Sequence, residues 1–116
     1  MNEKATDSPL VISSDSHVFE PPDLWTTRME SQYRDQAPRI VRLEDGSDFW
    51  FCGETKMGGM LAGIQPGTRF EEPENLTLLG TFEGVQFGGY IPDERVKDMD
   101  ADGIDTGILY PSSAAA

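Results

Sequence analysis

The chain opens its ordered pattern with Leu10-Val11-Ile12-Ser13-Ser14-Asp15, a short apolar run fading into polar residues. Such a run predicts a buried strand. Pro21 and Pro22 follow, suited to the first positions of a helix, where no N–H donor is needed. Trp25, Met29 and Tyr33 then fall four apart, the spacing of one helical face, and Asp-Gln-Ala-Pro ends that segment. The stripe reads as core packing. "RIVRL" and "DFWFC" flank "EDGS", and Asp-Gly between apolar runs predicts a β-hairpin. From Gly53 to Tyr90 glycine, proline and glutamate dominate, and only "LTLLGTF" (76–82) looks regular. That stretch reads as a functional loop or as poorly ordered chain. "PDERVKDMDADG" (92–103) predicts a helix, with Pro92 near its first position and Gly103 as its left-handed C-terminal cap. "IDTGILYP" then reads as a second buried strand.

The order is therefore strand, helix, hairpin insertion, long loop, helix, strand, with a polar tail at residues 1–9. Without the insertion (about 38–91) this is a βαβ unit, which favours a parallel sheet in an α/β protein. A chain of 116 residues suffices for one modest domain. A net charge of −12 argues against nucleic acid or an anionic membrane as partner, and reads as a solubilising acidic surface. The single cysteine, Cys52, excludes an internal disulfide framework and suits a reducing cytoplasm. The N-terminus lacks the basic-then-apolar order of a secretory signal, and no run is long and apolar enough to span a membrane. Together these predict a cytoplasmic protein.

Candidate chemistry centres on the only histidine, His17, two residues after Asp15. Side chains two apart on a strand point the same way. At a strand end they aim a carboxylate and an imidazole at one point, a donor pair for a divalent metal such as zinc. A second acidic motif, "DMDADGID" (98–105), satisfies the opening of a calcium loop through Asp98, Asp100 and Asp102. Its closing position is Leu109 where a bidentate glutamate belongs, its apolar eighth position is Asp105, and no helix follows. A non-catalytic acidic or calcium-binding fragment is the alternative reading. "GGMLAG" lacks the Lys-Ser/Thr of a phosphate loop. Cys52, with no basic neighbour, reads as a buried structural thiol. Phe49, Trp50 and Phe51 are consecutive and so occupy both strand faces, an insertion packed on two sides or one side kept for a partner subunit.

"DSHVFEPPDLW", "YRDQAPRIV" and "GGYIPDERVKDMDADGIDTGILYPS" together resemble the N-terminal third of the amidohydrolase-related metal-dependent hydrolases. The similarity is to the branch that includes the aminocarboxymuconate-semialdehyde decarboxylase-like enzymes, and covers about residues 10 to 113. It implies the first part of a TIM barrel with a mononuclear metal at its C-terminal face, zinc or alternatively manganese. Asp15 and His17 match the first-strand ligand pair, and Glu20 matches a position beside the site. The family's other ligands and its acid/base residues sit on later strands, so they are expected beyond Ala116. The resemblance thus implies the N-terminal fragment of a decarboxylase or hydrolase for a small carboxylate or carbonyl substrate. The barrel is incomplete in this chain, and the fragment alone is expected to be inactive. A homo-oligomer is compatible with the two-faced hairpin.

Overall fold

The computed structural model describes residues 8–67, 73–75 and 79–112. Its frame is β1 (Ile12–His17), α1 (Leu24–Arg28), β2 (Arg39–Arg42), β3 (Asp48–Cys52), β4 (Thr55–Gly59), α2 (Leu61–Ile64), α3 (Pro92–Asp102) and β5 (Thr106–Tyr110). Two separate sheets result: β1 pairs with β5 in parallel, and β2-β3-β4 is an antiparallel meander. The protein is thus a small mixed α/β fold, and the strands among the described residues do not close into a barrel.

The parallel pair runs from Ile12 opposite Thr106 to His17 opposite Tyr110, with an irregularity between Ser13 and Ser16. It follows the order expected of the βαβ pattern, with α3 as the last element before β5. The expected burial of its two strands fails. Neither strand is buried: Ile12 is 59% exposed, Ile108 47% and Leu109 46%. A parallel sheet needs helices on both faces, and among the described residues α3 is the only long helix and buries no residue of its own. Apolarity predicted burial, but the covering layer is lacking among the described residues.

α3 itself obeys its sequence. Proline opens it, and Gly103 closes it at φ +72°. The amide of Ile104 reaches the carbonyl of Met99 at 2.9 Å and that of Gly103 the carbonyl of Asp100 at 3.3 Å, a Schellman closure.

The helix expected from Pro21 to Tyr33 is broken into α1 and a 3-10 segment, Ser31–Gln36. Met29 (ψ 154°) and Glu30 (ψ 140°) between them are extended. Thr26 and Thr27 turn their hydroxyls back onto the carbonyl of Asp23. Arg34 folds back to donate to the carbonyls of Met29 and Thr27. These local bonds compete with helix continuation. The predicted stripe divides accordingly: Trp25 packs against the core, while Tyr33 is 55% exposed.

The hairpin forms in the expected place, Arg39 facing Phe51 and Arg42 facing Asp48. Gly46 takes φ +85° in its turn, and Asp45 accepts the Ser47 amide at 2.8 Å. The Gly-rich stretch after it is more regular than its composition suggests, since β4 and α2 lie within it. Of the run 76–82, residues 76–78 fall outside the described residues, and Phe82 starts a 3-10 turn. The core gathers on this side of the molecule: Phe19, Trp50, Met60 and Val85 are buried, with Trp25, Ile40, Phe82 and Tyr90 packed on them. Phe19 joins the two halves. It lies two residues beyond β1, its ring centroid 6.5 Å from that of Trp50 and 6.1 Å from that of Phe82. The carboxyl end of β1 is therefore anchored in the core, while its amino end is exposed.

Candidate functional site

β1 ends on His17, and the pleat brings Asp15 to the same side of the strand. His17 Nε2 lies 3.0 Å from Asp15 Oδ1, and Nδ1 lies 3.3 Å from the carbonyl oxygen of Pro111, just past the end of β5. Both side chains are largely exposed, 58% for His17 and 78% for Asp15. A neutral imidazole carries a single N–H, yet here both ring nitrogens face oxygen acceptors. Satisfying both contacts takes either a second proton on the ring or a cation between Nε2 and the carboxylate.

The spacing bears on the second possibility. An octahedral divalent ion holding N and O donors at about 2.1 Å on adjacent positions sets them about 3.0 Å apart. The observed pair has that separation, which is equally that of a direct N–H···O hydrogen bond. With Nδ1–H donating to the Pro111 carbonyl, Nε2 presents its lone pair toward Asp15, the tautomer that metal-bound histidines take. The pair thus fits one edge of a coordination sphere. Among the described residues no third His, Cys, Asp or Glu joins it.

Glu20 is 6% exposed and occupied otherwise. Its carboxylate accepts the Ser112 amide at 3.0 Å and also the Ser112 hydroxyl. It ties the segment after β1 to the segment after β5, bracing the two strand ends that carry His17 and Pro111. Arg95, which the sequence reading passed over, reaches the same place from α3. Its Nη1 donates to the carbonyl of His17 at 3.0 Å and to that of Gly88 at 3.3 Å. The only hint in the sequence was a cation in an otherwise acidic helix face.

The strand ends border a cavity of about 780 Å³ between the β1–β5 pair, α3 and the loops around α2 and Gly88. His17, Ser112, Arg95, Met99, Asp98 and Asp102 contribute to its wall. The chain matches no protein-family model and no curated protein.

The three calcium-loop aspartates lie within α3 rather than in a loop. Residues two apart on a helix point about 200° from one another. Asp98 and Asp102 face the cavity and Asp100 does not. They do not converge as loop ligands would. Cys52 is exposed, not buried as expected, and its thiol donates to the carbonyl of Gln36 at 3.4 Å. It ends β3 at a sheet corner, where the aromatic neighbours that suggested burial leave it uncovered. Trp50 is fully buried, whereas Phe49 and Phe51 are half-buried on the other face, with Lys56 Nζ 4.0 Å above the Phe49 ring.

Proposed function

We propose that this chain supplies the first-strand half of a divalent-metal centre in an amidohydrolase-type enzyme, a carboxy-lyase or a hydrolase. His17 and Asp15 are the metal donors. The observation that carries this reading is the His17 imidazole facing oxygen acceptors through both ring nitrogens at the carboxyl end of a parallel strand. Zinc or manganese matches the nitrogen-and-oxygen donor set. The remaining donors come from further strands packed on the open edges of the β1–β5 pair, completing a TIM barrel. Support for that extension is the apolar surface left on both strands.

Such a metal supplies Lewis acidity, polarising a substrate carbonyl or carboxylate. The chain's own residues then have separate tasks. Asp15 and His17 bind, the Pro111 carbonyl holds the Nδ1 proton, and Glu20 keeps the strand ends together. The cavity beside His17 has the size of a small-molecule site and would receive a small carboxylate or carbonyl compound.

The test uses the sole histidine. In 15N-labelled protein, Mn²⁺ should broaden the single imidazole spin system, and His17→Ala or Asp15→Ala should abolish the saturable part of the effect. Since two ligands leave most of the sphere to water, binding should be weak and quickly exchanging. Zinc-loaded chain should show no decarboxylation or hydrolysis of aromatic carboxylates and lactones. Broadening that persists in His17→Ala would sink the reading.

A further inference from the structure

We propose that Arg95 is a positioning residue for His17, acting through the His17 carbonyl; this rests on the metal half-site reading above. Five bonds hold the end of β1, one of them from the Phe19 amide to the carbonyl of Gly89 at 2.7 Å. Of the others, the Val18 amide donates to the Tyr110 carbonyl at 3.0 Å, His17 Nδ1 faces the Pro111 carbonyl, Ser112 bonds Glu20, and Arg95 bonds the His17 carbonyl. The first three of these join the ends of the same two strands to each other, so they can move together with the strand pair. Arg95 is the one side chain among the five that reaches in from α3; with its second bond to Gly88 it fastens the His17 carbonyl to the same loop that the Phe19 amide meets at Gly89. Phe19, two residues on, is held in the core, but packing on His17 itself is slight. α3 buries no residue, and His17 is more than half exposed. A donor pair this exposed takes its fine orientation from discrete hydrogen bonds to the backbone that carries it.

The geometry fits that task better than an ordinary surface arginine. Among the described residues Arg95 forms no ion pair, although Asp98 lies one turn along its own helix. A single nitrogen, Nη1, serves two neutral carbonyls in charge-assisted bonds. The side chain lines both the large cavity and the smaller apolar groove beside Tyr90 and Leu109, so it stands between the two faces of the site.

The experiment compares wild type, Arg95→Ala, Arg95→Gln and a control, Lys97→Ala, on the same helix. In metal-free protein the His17 carbonyl 13C signal should lose its hydrogen-bonded shift in Arg95→Ala, and the His17 ring 15N signals should move or broaden. Lys97→Ala should leave both unchanged. Mn²⁺ affinity measured on the ring signals should fall about tenfold or more in Arg95→Ala. Arg95→Gln, which keeps the stem and an N–H donor, should recover part of both readouts, and serves alone where Arg95→Ala does not fold. Unchanged His17 signals in a folded variant would overturn the proposal. If wild type binds no Mn²⁺, the metal reading fails, while the metal-free carbonyl and ring signals still decide whether Arg95 positions His17.

Discussion

Asp48 shows how one side chain can join parts of the chain that are distant in sequence. It is only 3% exposed, takes a two-pronged bond from Arg42 with both contacts at 2.9 Å, and accepts the Phe82 amide at 2.9 Å. The Arg42 guanidinium, helped by the Phe82 amide and opposed by burial, holds its carboxyl below the usual aspartate range. A depressed folded value means that the unfolded chain binds the proton more readily. The contribution is therefore complete above the ordinary aspartate value of about 3.9 and is lost as pH falls through the folded value. Urea titrations should show stability falling steeply below about pH 4, and this slope should flatten in Asp48→Asn. Asp48→Ala, which strands the Phe82 amide, should cost roughly 1–3 kcal/mol at neutral pH. Gly103 is the second decisive residue, because its φ of +72° closes α3. Space around it is open, so Gly103→Ala should cost only the backbone strain, about 1–2 kcal/mol by thermal unfolding.

At the scale of elements, α2 is a single turn that lies against the core. A Cβ on Gly63 would stand 2.8 Å from Phe19 Cδ2 and 2.9 Å from Val85 Cγ1, both core side chains. Gly63→Ala should therefore overpack the contact and destabilise by roughly 1–3 kcal/mol, read as a lower denaturation midpoint with an unchanged slope. The effect should reach the candidate site, since Phe19 follows His17 by two residues. A shift of the His17 ring signals in Gly63→Ala, absent in an exposed control such as Glu54→Ala, would register that link.

The whole molecule is broad and flat, 52 × 40 × 19 Å, with a radius of gyration of 16.6 Å. A compact domain of this length has about 13 Å. The hairpin half owns the core, and the parallel pair projects with Ile108, Leu109 and Tyr110 each close to half exposed. Apolar strands with open edges pair with one another, and a charge of −12 opposes that encounter. Salt screens the repulsion without weakening the apolar contact. Sedimentation should therefore show self-association increasing with ionic strength and protein concentration, and Leu109→Lys should suppress it. Association that weakens as salt rises would refute this account.

Local chemistry was sufficient for what the sequence by itself determined. The Asp-Gly turn, the proline and glycine that bound α3, the parallel order of β1 and β5, and Asp15 beside His17 on one strand face all depend on neighbours a few residues apart or on element order. Other features required contacts across long separations, which no periodicity encodes. The Pro111 carbonyl that meets the His17 ring, the Ser112 groups that occupy Glu20, and the reach of Arg95 to the His17 carbonyl are of this kind. Burial was the clearest failure. An apolar run states that a strand gains by being covered, but whether a layer arrives to cover it is settled by packing. In this fold the layer went to the hairpin, where Trp50 and Phe19 meet, and left β1 and β5 exposed.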